Sequence, residues 1–140
     1  MKLKALVVGV VVALLSVSVA VAAPPTGKGK PQPSGPNCKP KVTVVLTGML
    51  TGVSGTTLTM TVSHGNRWAR PWVKAGTASV MVDPSTTKVR RNGGLKALTD
   101  LVSTPPDRLL VQARACKFDL GQSVLPTLTA VRIVAHPAKT

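Results

Sequence analysis

The residues in this chain best suited to chemistry are two tryptophans set among cations, in Arg67-Trp68-Ala69-Arg70-Pro71-Trp72-Val73-Lys74. Trp68 and Trp72 could stack on bases or sugar rings while Arg67, Arg70 and Lys74 meet phosphate or carboxylate groups. A plainer use competes with this one. The chain has one Phe and no Tyr, so either indole could fill core space while the arginines stay solvated. The segment is turn-prone, and Arg67, Trp68, Arg70, Pro71, Trp72 and Lys74 are expected to be exposed.

Other constellations are weaker. His64 and His136 are the only histidines, and with Met49, Met60 and Met81 they could form a copper site of soft ligands. Met60 and His64 fall on the inward register of one strand, however, where such residues fill the core. No metal site is expected. The acidic residues Asp83, Asp100, Asp107 and Asp119 fall in turns or helix ends, apart from either histidine. Asp107 is expected to organise the turn into the strand that follows it. The chain has no nucleophile elbow, no metalloprotease His pair and no phosphate-cradling glycine loop. It is read as a non-enzyme, with no catalytic residue and no cofactor.

Composition bounds the remaining possibilities. In 140 residues there are 18 Lys+Arg against 4 Asp+Glu, a formal net charge of +14. That length fits one domain with a real core. Such a field attracts polyanions: nucleic acid, anionic lipid surfaces, or acidic polymers of a cell envelope. Abundant Val and Thr favour strands over helices.

Residues 1–22 have the form of a secretory signal. Lys2 and Lys4 precede an apolar run at 6–15 that only Gly9 interrupts, and Ala20-Val21-Ala22 supplies the cleavage site. A retained anchor is the competing reading, because residues 5–23 are about long enough to span a bilayer. Ser16, Ser18 and the prolines that follow favour cleavage. An exported address follows, whether extracellular, periplasmic or cell-wall associated, with no stable membrane insertion after cleavage. Residues 23–40 are rich in Pro, Gly and Lys and read as a flexible basic arm.

A β domain is expected over residues 41–137, with a short tail at 138–140. The first strand covers 42–50, where Gly48 marks a bulge or sharp bend. Ser54-Gly55 turns the chain into a second strand at 56–64, which alternates Thr or Ser with apolar residues. A third strand covers 77–83, a short extra one is expected at 87–91, and Leu95, Leu98 and Leu101 share the face of one short helix. Strands at 108–118 and 124–135 complete the domain, the last starting late because Pro126 cannot donate to a ladder. This order predicts an all-β fold: a small five-stranded OB-like β-barrel with one short helix between strands 3 and 4.

The same segments resemble a family of small secreted bacterial domains of unknown function whose expected fold is an OB-like barrel. Its G-x-V-x-x-V-x-G-x-x-L-T-V hairpin pattern appears in the opening hairpin, Gly48 to Val62, and its T-K-V turn as Thr87-Lys88-Val89. Ala97-Leu98-Thr99-Asp100-Leu101 stands for its short helix, Asp107-Arg108-Leu109-Leu110-Val111 for its G-D-x-V-x-V strand, and Leu128-Thr129-Ala130 for its last strand. Thr104-Pro105-Pro106 departs from the glycine that precedes the family's aspartate, and the Trp segment and both cysteines lie outside the pattern. The resemblance implies a fold and an exported address, with no activity.

Cys38 and Cys116 are the only cysteines. An even count in an exported chain favours one disulfide. If the first and fourth barrel strands pair antiparallel, residues just before the one lie near the end of the other, where these two fall. A metal or reactive thiol pair would need His or acidic neighbours, which the sequence does not place nearby. The leading expectation for function is a non-catalytic module that binds anionic polymers through Arg67, Trp68, Arg70, Trp72 and Lys74. These polymers would be cell-envelope glycan, lipopolysaccharide or teichoic acid, or extracellular nucleic acid. The alternative is a structural or protein-interaction module whose charge only keeps it in solution.

Overall fold

The computed structural model describes residues 38–139. The expected signal at 1–22 and the basic arm as far as residue 37 lie outside the described residues, as does Thr140.

Alternation of β-branched and apolar residues builds one sheet from seven strands: β1 (Lys41–Ser54), β2 (Thr57–Gly65), β3 (Thr77–Met81), β4 (Lys88–Arg91), β5 (Gly94–Leu95), β6 (Arg108–Cys116) and β7 (Leu128–His136). The spatial order is β3-β2-β1-β6-β7-β4-β5. The expected all-β class is found. The expected five-stranded barrel is corrected: β4 and β5 extend the sheet beyond β7, and β3 also meets β7 in parallel over two pairs, Val80 with Leu128 and Met81 with Thr129.

β1 serves two partners. Its second half pairs with β2 and its first half with β6, the two ladders overlapping from Leu46 to Met49. The β1–β2 register shifts between Thr47 and Gly48 and again between Leu50 and Gly52. A Cβ on Gly48 would collide with the backbone carbonyl of Thr61. Only glycine lets the two backbones approach this closely. Side chains of β2 then serve the irregular seam: Thr59, Thr61 and Ser63 donate hydroxyl hydrogen bonds to the carbonyls of Gly52, Met49 and Thr47.

The inward registers form a single core. Leu46, Leu58, Met60, Leu109, Leu128 and Ile133 are fully buried. Each contributes about 1.5–3 kcal/mol by leaving water. With one Phe in the chain, the rest of this core is Leu50, Leu101, Val, Ala and a single indole.

One local expectation fails for an identifiable reason. Residues 95–101 do not form a helix. Asn92 and Gly93, both at positive φ, make a two-residue turn that pairs Gly94 with Arg91 and Leu95 with Arg90, and only a 3-10 turn, Leu98–Asp100, follows. The Asn-Gly hairpin chemistry outweighs a three-residue leucine spacing. The α-helix of the domain lies instead between β2 and β3, at Arg70–Ala75 (α1). The last strand starts at Leu128, past Pro126 and later than residue 124.

Gly48→Ala is expected to cost about 3 kcal/mol or more by forcing two backbones apart. Gly52→Ala, whose Cβ meets nothing closer than the Thr59 hydroxyl at 3.4 Å, should cost under about 1 kcal/mol. Urea unfolding of the two variants beside the parent checks the contrast.

Candidate functional site

The Arg/Trp segment is ordered by three devices. Asn66 continues the ladder past the end of β2: its N–H donates to Val45 O (3.2 Å), its Nδ2 to Thr43 O (2.8 Å), and its Oδ1 accepts from Val45 N–H (3.3 Å). A 3-10 turn at Arg67–Ala69 leads into α1, with Pro71 in the first helical turn where its missing N–H costs nothing. Gly76, at φ 76°, ends the helix and donates to Trp72 O and Val73 O. This is a glycine-terminated helix end.

Ala69 and Trp72, three residues apart, turn into the core, and Trp72 is only 4% exposed. The expectation that these residues are exposed is therefore corrected for Trp72, which is buried, and for Trp68 and Pro71, which are half-buried. Trp72 supplies the large apolar group that a Phe-poor core lacks. Trp68 packs against that core. The Arg67 guanidinium lies 4.4 Å from its ring centroid and the Lys117 ammonium 5.8 Å. Arg67, Arg70 and Lys74 are exposed. The segment thus offers cations outward and one partly covered indole, with the second indole withdrawn. Helical spacing of Ala69, Trp72 and Val73, with Pro71 near the start and Gly76 past the end, was the available signal.

Lys117 reaches Trp68 because the covalent link holds that end of β6. Cys38 and Cys116 form a disulfide, with Cα atoms 5.7 Å apart across 78 residues. Lys41 pairs with Cys116 at the antiparallel β1–β6 end, and Lys117 N–H donates to Pro40 O. Closing so long a loop contributes up to about 4 kcal/mol by the chain-entropy estimate.

The remaining candidates separate from one another. Met60 is buried, but His64, expected to face inward, is exposed at the end of β2 with its Nδ1 3.1 Å from Ser63 Oγ. Met49, Met81 and His136 are also exposed. Among the described residues no group of three or more His, Cys, Asp or Glu side chains could hold a metal. Asp83 accepts from Ser85 N–H and Oγ–H in the β3–β4 connection, and Asp100 accepts from Ala97 N–H.

Asp107 has a larger role than the sequence indicated. Its carboxylate is buried, yet every bond it needs is present. Oδ2 accepts from Arg91 Nε (2.8 Å) and Val102 N–H (2.9 Å), and Oδ1 accepts from Arg91 Nη2 (3.1 Å). Its backbone N–H donates to Val102 O and its carbonyl accepts from Leu50 N–H. One residue thus joins β4, the 102–107 loop, β6 and the middle of β1. The bidentate Arg91 guanidinium, aided by the Val102 N–H, holds this carboxyl below the usual aspartate range against the opposing effect of burial. Hydrogen bonds from Ser85 lower Asp83 as well.

Against family models, curated proteins and solved structures, the chain finds no match. The functional reading rests on geometry and charge.

Two outcomes are expected. Because Asp107 titrates lower in the folded state, its stabilisation is complete above the ordinary aspartate pKa of about 4 and disappears as pH falls through the folded value. Urea unfolding from neutral pH downward should show that acid limb, and Asp107→Asn should flatten it while costing about 2–3 kcal/mol at neutral pH. Trp72→Ala should cost about 3–5 kcal/mol and Trp68→Ala on the order of 1 kcal/mol. Iodide should quench the fluorescence of the Trp72→Phe variant more than that of Trp68→Phe.

Proposed function

We propose that the protein is an exported, non-catalytic module that binds anionic polymers of a cell envelope or its surroundings. The observation that carries this reading is the absence of charge compensation. Among the described residues a single ion pair, Arg91 with Asp107, is formed, and it uses the one buried carboxylate. Asp83 and Asp100 are committed to backbone groups of their own turns. Exposed cations, Arg67, Arg70 and Lys74 among them, are left with no carboxylate at contact distance. A surface so biased lowers the free energy of any polyanion brought against it.

Support for export comes from the disulfide, a bond that persists in oxidising compartments. No helix among the described residues is long and apolar enough to cross a membrane. An OB-like arrangement is supported by the antiparallel β1–β6 pairing and by the β3–β7 contact, which brings together the strands flanking β2-β1-β6. Such sheets bind polymers across their faces and loops. Arg67, Trp68, Arg70 and Lys74 are the loop residues this reading engages, and Trp72 supports them from within the core.

Fluorescence anisotropy with labelled teichoic acid, acidic glycan and duplex DNA tests the proposal. Binding is expected at low salt and should weaken by about 100-fold or more between roughly 50 and 200 mM salt. A chain that binds none of these polymers at low salt would not be a polyanion module.

A further inference from the structure

The cations are not spread evenly over the sheet. On the solvent side of β2 and β3 stand Thr57, Thr59, Thr61, Ser63, Thr77 and Ser79, with no Lys, Arg or Asp in either strand. On the solvent side of β4, β7 and β6 stand Lys88, Arg90, Arg132, Arg108 and Arg114, all exposed. The two surfaces belong to one sheet, and only one is charged.

Register makes the arrangement specific. Arg132 is paired with Lys88 on one side and Gln112 on the other. Arg108 pairs with His136, Arg114 with Thr129, and Arg90 with Val134. Neighbouring strands are about 4.8 Å apart and alternate residues about 6.8 Å apart, so these side chains share one surface. Like charges directly opposite each other, as at Arg132 and Lys88, destabilise a sheet. No acidic residue lies in β4, β6 or β7 to offset them. Toward the Arg114 end the surface dips into a cleft of about 540 Å³ lined by Lys41, Arg114, Thr127 and Thr129, with Asp119 on its wall.

We infer that this β4-β7-β6 face is the main binding surface for a linear polyol-phosphate chain of the teichoic type. The inference rests on the polyanion reading above and moves its centre from the Arg/Trp segment to the strands. Four of the five cations are arginines, whose planar forks suit bidentate contact with phosphate oxygens. No Trp, Tyr or Phe stands on β4, β6 or β7, so the only ring on the face is the His136 imidazole at its Arg108 end. The face presents mainly charge, for backbone phosphates. The cations follow the strand register, and a flexible single chain can track it from Lys88 across Arg132 toward Arg108 or Arg114.

The test compares two double variants with the parent chain, using a labelled poly(glycerol phosphate) oligomer, a polygalacturonate of equal charge and a duplex DNA. R108E/R132E is expected to weaken poly(glycerol phosphate) binding by about 10-fold or more and to lower the salt slope by about two, whereas R67E/R70E should weaken it several-fold less than R108E/R132E does. All four positions are exposed, and unchanged thermal unfolding of each variant would establish that the fold is kept. Loss in R67E/R70E with R108E/R132E unchanged would overturn the face while leaving the polyanion reading intact. Tighter binding of DNA or polygalacturonate through Arg108 and Arg132 would overturn the assigned occupant. A parent chain that binds no polyanion would remove both.

Discussion

The close approach of β1 and β2 at Gly48 is the constraint on which the rest of the sheet depends. β1 must serve β2 with one half and β6 with the other, and the register shifts at Gly48 and Gly52 let it change partners. Because a side chain at Gly48 would meet the Thr61 carbonyl, the bend is specified by the absence of atoms. The carbonyls left irregular by the shifts are not abandoned. Hydroxyls of Thr59, Thr61 and Ser63 reach three of them, which gives the threonine-rich strand a structural purpose and explains why its outer side carries hydroxyls in place of charge.

Two links then hold the bent strand to its neighbours from opposite ends. The disulfide ties the chain just before β1 to the end of β6, and Asp107 ties the start of β6 to Leu50. They differ in kind. The disulfide acts largely by restricting the unfolded chain. The Asp107–Arg91 pair acts in the folded state, and a buried carboxylate is tolerated only because each of its oxygens is bonded. The pair also recruits β4, so the extension of the sheet beyond β7 and the junction at β1 are secured by one side chain.

With one acid buried and two others engaged in turns, the basic excess faces solvent with little to answer it. The fold sorts that excess: β2 and β3 take none of it, and β4, β6 and β7 take five residues. In the Arg/Trp segment, Trp72 belongs to the core and Trp68 already carries Arg67 against its ring, so part of its apparent recognition chemistry is spent internally. A phosphate-bearing chain would find more uncommitted arginines on the strand face than on the helix.

Much of the fold was legible in residue order because its signals are local. Alternation marked β1, β2, β3, β6 and β7, Gly48 marked the bend, and two cysteines at the ends of prospective neighbours marked the covalent link. The α1 helix was equally local, written in Ala69, Trp72 and Val73 with Pro71 near the start and Gly76 past the end, but indoles among arginines read first as a binding loop. The Asn92-Gly93 turn was outweighed by leucine spacing in the same way. What the sequence could not express is contact between distant residues. Nothing near Asp107 announces that Arg91, 16 residues earlier, would neutralise it. Nothing in the separate runs holding Lys88, Arg108 and Arg132 places them together. Those juxtapositions exist only once β7 pairs with both β4 and β6, because strand pairing, and not sequence distance, decides which charges share a surface.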